Sequence, residues 1–262
     1  MSTPAKVIEI SVEAGVPRQI DAALALRSAG RLEDALEALA KATEYDAYLY
    51  TVRAEIEFAL ERFHDAALSY FAVAQSDPDD AGAHYNLGLA LQRSDRWDAS
   101  CQAFERALAL DPRHEKARLG LGASLLYLNR SAEALAIFEQ SGDAALFGKA
   151  VALQLLHRYD EAEQVYQEAP ESEEALSNLI ALQIETGDVN RLRDYSQRLI
   201  KADPESPAAL QGLATVAFEA GDHHAAARYC DRIVQVTPDC LEGWHNFRVA
   251  LDRIVAAFGE VH

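Results

Sequence analysis

Apolar residues in this chain return every three to four positions over helix-length stretches, and polar breaks separate one stretch from the next. No alternating pattern of strand length competes with this period, so the chain is predicted to be helical throughout. Laid over itself, the sequence repeats. Ala81 to His114 and Pro207 to Cys240 each contain two helix patterns around a polar break and close on Asp111-Pro112 or Thr237-Pro238. The period is 34 residues, and starts at Val16, Ala47, Ala81, Glu115, Asp143, Glu173, Pro207 and Leu241 bring seven helix pairs and one last helix into register.

Counting from each start, the eighth place holds Ala23, Ala54, Gly88, Gly122, Ala150, Ile180 and Ala214. The twentieth holds Ala35, Ala66, Ser100, Ala134, Ala162, Leu192 and Ala226. Small residues at both places predict that the two helices of a pair approach closely. A bulky residue follows at place 24, as in Leu39, Tyr70, Phe104, Phe138 and Tyr166, and is expected to fill the space between neighbouring pairs. Pro78, Pro112, Pro204 and Pro238 end the second helices, where a ring that cannot continue a helix forces the chain into the next repeat. Gly30, Gly187 and Gly221 fall in the turn inside a pair, where a positive φ is tolerated.

These places resemble the tetratricopeptide repeat, with its Trp, Leu-Gly, Tyr, Ala, Phe, Ala and Pro signature. The resemblance covers residues 16 to 258 and is strongest in the third repeat, through Asn86-Leu87-Gly88, Trp97, Phe104, Ala107-Leu108 and Asp111-Pro112; Trp244 stands at the family's tryptophan position in the last helix. It implies an all-α fold, a right-handed superhelical α-solenoid of about seven helix pairs plus a C-terminal capping helix. The expected organisation is a tail over 1–15, repeats over 16–46, 47–80, 81–114, 115–142, 143–172, 173–206 and 207–240, and a capping helix and tail over 241–262. The fourth and fifth repeats are short, so shortened second helices are expected there. In the sixth, Ile180, Leu192 and Ser196 replace the usual small, small and aromatic residues. A solenoid needs a covered end, since each pair buries its apolar face only against neighbours. Trp244, Phe247, Leu251, Ile254 and Phe258 give the last helix such a stripe.

Charge narrows the functional classes. With 24 Lys and Arg against 42 Asp and Glu, the formal net charge is −18, the opposite of what a phosphate-neutralising surface requires; no nucleic-acid partner is expected. No stretch approaches the roughly 20 apolar residues that cross a bilayer, and the N-terminal segment lacks a secretion signal, which predicts a cytoplasmic protein without a transmembrane segment. Cys101, Cys230 and Cys240 are odd in number and widely spaced, and read as reduced, packed thiols. Catalytic chemistry has no foothold: Gly120-Leu121-Gly122 lacks a following phosphate-loop lysine, His223-His224 cannot easily face one metal together, and the acidic runs at Asp77–Asp80 and Glu171–Glu174 lie where helices begin. No cofactor, metal or enzymatic activity is expected.

Binding remains. In the resembled family the first helices line a concave face, through places 2, 5, 6, 9, 12 and 13. Carried over, these give a groove formed by Tyr85, Asn86, Leu89, Arg93, Lys116, Leu119, Leu126, Tyr127, Phe147 and Asn178, with Gln92 beside them. Aromatic and cationic anchors on an otherwise acidic molecule suit a protein partner, a peptide or helix with a basic surface elsewhere. Side-chain amides at place 6, Asn86, Asn178 and Asn246, can hold an extended backbone without reading its sequence. The expectation is a non-catalytic scaffold or adaptor. The alternatives are a self-assembling homo-oligomer, with Val7-Ile8-Glu9-Ile10 in another copy's groove, and a regulatory subunit of a separate enzyme or filament.

Overall fold

A computed structural model describes residues 16–42, 46–168 and 172–259, with side chains from 18 to 257 within those ranges. The tail over 1–15, and with it Val7–Ile10, lies outside the described residues, as does the side chain of Phe258. The described residues form helices and one short 3₁₀ turn, without strands. They group into two compact units, the first ending at Ser141 and the second beginning at Gly142.

The first unit holds four antiparallel pairs: α1 (Val16–Ser28) with α2 (Leu32–Ala40), α3 (Ala47–Ala59) with α4 (Phe63–Ser76), α5 (Ala81–Arg93) with α6 (Trp97–Leu110), and α7 (Glu115–Tyr127) with α8 (Ser131–Phe138). In the second, the 3₁₀ turn Asp143–Ala145 leads into α9 (Leu146–Leu155), paired with α10 (Tyr159–Glu168). Then follow α11 (Glu173–Thr186) with α12 (Val189–Ala202), α13 (Pro207–Glu219) with α14 (His223–Val236), and the last helix α15 (Leu241–Gly259). The second helices α8 and α10 have 8 and 10 residues, against 14 in α4, α6, α12 and α14. Helix starts are set locally: Asp46, Asp80, Ser172, Asp188, Ser206 and Asp222 each accept from a backbone N–H in the first turn, occupying donors that have no partner within the helix.

The small places are the joints within pairs. Ala35, Ala66, Ser100, Ala134, Ala162, Leu192 and Ala226 are all buried at place 20. The bulky residues of place 24 sit against small ones: a Cβ added to Gly88 would lie 2.7 Å from the Phe104 ring, and one added to Gly122 would lie 2.4 Å from Phe138. In the sixth repeat the volumes are exchanged. Ser196 is fully buried where Tyr70, Phe104, Phe138 and Tyr166 stand in the second to fifth repeats, and the larger Ile180 and Leu192 close the gap, both within 3.2 Å of a Cβ added to Gly212. Total volume is kept while its distribution changes, which cores tolerate.

Among the described residues seven have positive φ, and they stand at one place, the fifteenth, in all seven pairs: Gly30, Glu61, Asp95, Asn129, His157, Gly187 and Gly221. The turn inside each pair requires the left-handed conformation whichever residue occupies it. Four non-glycine residues adopt it at φ between 57° and 59°, at a cost of roughly 1 to 2 kcal/mol for a side chain, against a smaller entropic penalty for glycine. Glu61→Gly is therefore expected to stabilise the first unit by about 0.5 to 1 kcal/mol, read as a raised urea midpoint. An unchanged or lowered midpoint would show that the Glu61 side chain offsets the backbone cost.

Helix α15 closes the second unit. Ala250 is buried, and Phe247 and Ile254 pack with it against Ala226, Ala227 and Phe218. Trp244 and Leu251, part of the stripe expected to cap, are half exposed; among the described residues no helix lies on their side. Trp244 Nε1 donates to the Pro238 carbonyl at 2.9 Å, holding the indole over the preceding turn. Place 8 of this helix is Arg248, exposed, where every preceding first helix has Gly, Ala or Ile.

Candidate functional site

Eight of the ten groove residues lie on α5 and α7 of the first unit, and the structure divides them into two kinds. Arg93, Tyr127 and Tyr85 hold repeats together. The Arg93 guanidinium lies 4.4 Å above the Phe63 ring and 5.8 Å from Phe58. Tyr127 stacks on Trp97 with centroids 4.0 Å apart and planes 5° from parallel, its outer surface exposed. Both contacts join the first residue of a second helix to place 13 of the next first helix. The second unit uses the same two places differently: Tyr159 Oη donates to Glu185 Oε1 at 2.8 Å. That bond pushes the Tyr159 phenol up and, with the amide of Gln154, holds the Glu185 carboxyl below the usual range. The Tyr85 ring lies 4.6 Å from His114 and 6.0 Å from Phe104, half-buried between α5 and the start of α7; burial raises its phenol pKa. Gln92 donates from Nε2 to the Gly120 carbonyl at 3.3 Å and to Ser124 Oγ at 3.1 Å, and Ser100 bonds Ser124 and the Gly88 carbonyl at 3.1 and 2.8 Å.

The remaining five of the eight are uncommitted. Asn86, Leu89, Leu119 and Leu126 are half-buried and Lys116 is exposed. Among the described residues the Asn86 amide and Lys116 ammonium make no hydrogen bond or ion pair. In the second unit Phe147 sits 6.3 Å from the Tyr166 ring, and Asn178 on α11 is half-buried with its amide equally unengaged.

Residues that the groove reasoning passed over include two buried carboxylates. Glu57 accepts from Ser69 Oγ at 2.6 Å and from Arg53 Nε at 2.7 Å. Glu163 accepts from Tyr195 Oη at 2.8 Å and from Gln167, and pairs with Arg191. Each is fully partnered, the condition for burying a charge, and Glu163 lines a cavity with Asp160, Arg191 and Tyr195. Their signal in the sequence was an acidic residue at a place that is apolar in every other repeat but the sixth, which has Gln183 and Arg193 there. Cys101 and Cys230 are buried thiols, which raises their pKa. Among the described residues no group of three His, Cys, Asp or Glu side chains is placed to hold a metal ion, and no helix is long and apolar enough to cross a membrane.

Antiparallel helix pairs joined through small places, with the first helices of neighbouring pairs meeting within each unit, define a helical-repeat protein. Models of the tetratricopeptide repeat match residues 81–114 and 192–239. Those two stretches of the chain are tetratricopeptide repeats. Solved structures agree in fold. A tetratricopeptide repeat protein from Parabacteroides merdae superposes with a TM-score of 0.68 at 14% identity, covering 90% of this chain and 98% of that one. The C-terminal part of a repeat protein from Cytophaga hutchinsonii gives 0.65 at 14% identity, over 87% and 98%. PilW, described as a widely conserved type IV pilus biogenesis factor, gives 0.66 at 18% identity, over 78% and 98%. No curated protein matches the chain.

Proposed function

We propose that this protein is a non-catalytic scaffold that holds a peptide or helix of a partner protein on the first-helix face of its first unit, with Asn86, Leu89, Lys116, Leu119 and Leu126 as the contacting residues. One observation carries this reading: on α5 and α7 the Asn86 amide and the Lys116 ammonium have no partner among the described residues, beside half-buried leucines. An amide that can both donate and accept suits a peptide backbone, and an ammonium suits its carboxylates. Tyr85, Arg93 and Tyr127 contribute indirectly, by setting the spacing of the repeats that carry these groups. Asn178 offers the same amide in the second unit. The fold is shared with PilW, a type IV pilus biogenesis factor.

The test is affinity capture from the native cell extract by the wild-type chain and by an Asn86→Ala, Lys116→Ala variant, with mass spectrometry of the retained proteins. A partner held by the first and weakened about tenfold for the second, at equal helicity, is the expected result. Equal retention by both would remove this face as the site. Arg93→Ala is expected to lower the melting temperature instead, through its lost contact with Phe63.

A further inference from the structure

A second surface lies on the opposite side of the first unit, between the second helices α4 and α6. Leu68 and Phe71 of α4 are 59% and 49% exposed there, above a groove of about 830 Å³. Among the seven second helices α4 alone has large apolar residues at both of these outward places; α6 has Gln102 and Glu105, α10 has Gln164 and Gln167, and α14 has Arg228 and Asp231.

A second departure from the repeat pattern falls on the same groove. The residue before the second helix is arginine in five consecutive repeats, Arg31, Arg62, Arg96, Arg130 and Arg158. Arg31, Arg130 and Arg158 each pair with a carboxylate three residues on, at 2.6, 2.7 and 2.6 Å. Arg62 pairs at 2.8 Å with Glu33, at the second place of the preceding second helix. At Arg96 these two supplying positions are Ala99 and His64. Its neighbours Asp95 and Asp98 make no ion pair with it, and among the described residues its side chain has no partner. Arg96 and His64 both line the groove that exposes Leu68 and Phe71.

We infer that this groove docks an acidic, apolar segment of a partner protein: its carboxylate takes the place on Arg96 that the chain fills internally in the sibling repeats, and its apolar side chains cover Leu68 and Phe71. An exposed apolar pair beside an unneutralised guanidinium selects that chemistry by complementarity within the groove itself. The surface is independent of the first-helix face proposed above.

The test uses the full chain against a random 16-residue peptide display library, with Ala99→Glu as the decisive variant. That change installs on α6 the carboxylate that Glu133 supplies on α8, so Arg96 should be neutralised internally without loss of fold. The expected result is enrichment of peptides carrying Asp or Glu next to Leu, Phe or Trp. Their affinity should fall about tenfold for Ala99→Glu and for Phe71→Glu, and stay unchanged for Lys201→Ala on α12, which removes a positive charge from neither proposed surface, with helicity and melting temperature preserved. Leu68→Glu replaces Phe71→Glu should the latter fail to fold. No enrichment, peptides without a carboxylate, or binding indifferent to Ala99→Glu would each overturn the proposal. So would sedimentation showing a dimer that Phe71→Glu disperses, since the occupant would then be a second copy.

Discussion

Replacing Phe104 by alanine is expected to destabilise the first unit by about 3 to 5 kcal/mol, the range for emptying a large buried aromatic site. The ring is fully buried, and it is pressed between two first helices: an added Cβ on Gly88 of its own pair would lie 2.7 Å away, and one on Gly120 of the next pair 2.5 Å away. One side chain therefore fills the joint within a pair and the joint between pairs. Neither α5 nor α7 can move in to fill the space freely, because Ser100, Ser124 and Gln92 tie the same three helices through hydrogen bonds. The complementary change, Gly88→Ala, is expected to cost about 1 to 3 kcal/mol by overpacking, and to become nearly neutral once Phe104 is alanine. Denaturant unfolding of the four species, followed by circular dichroism, measures both the cost and the coupling. Additive penalties would show that the ring is not what keeps position 88 small.

The second large effect is alkaline. Tyr70 in the first unit and Tyr166 in the second are buried, and burial, with the nearby charges of Glu55 and Glu174 respectively, pushes each phenol up to about 12 from an ordinary value of 10.0. A raised folded pKa means that the folded chain keeps the proton longer. Below pH 10 both states are protonated and the stability is complete; between pH 10 and about 12 the unfolded chain ionises first, and stability falls by about 2 to 3 kcal/mol for each tyrosine. Unfolding free energies measured from pH 9 to 12 should thus decline in the wild type and decline less in Tyr70→Phe. Parallel curves for the two proteins would mean that Tyr70 ionises without opening the structure.

Much of this architecture was legible because a 34-residue period exposes the same chemical requirement seven times. The small residues at places 8 and 20 announced close helix approach, and Phe104 and Phe138 occupy the joints their spacing indicated. What stayed hidden depends on neighbours 26 to 30 residues away whose identities vary. Phe63 with Arg93, Trp97 with Tyr127 and Tyr159 with Glu185 are one contact made by three chemistries, so no shared residue type marks it. Register alone places Arg93 and Tyr127 beside the first-helix face and does not reveal the rings of Phe63 and Trp97 that they meet. The left-handed turn was visible at Gly30, Gly187 and Gly221 and invisible at Glu61, Asp95, Asn129 and His157, where packing on both sides imposes a backbone shape that local preference opposes. Aligning all seven repeats at place 15 would have found it.

Arg248 sets α15 apart from the first helices before it. Every earlier first helix offers a small or apolar residue at the place where its own second helix comes nearest, and α15 offers a guanidinium instead. In polymer terms its reactive face is blocked: the surface that accepts the next unit elsewhere carries a bulky charged group here. A further repeat appended after α15 would have to bury that charge or hold the next helix away from it, so lengthening the array by design begins with exchanging one arginine for alanine.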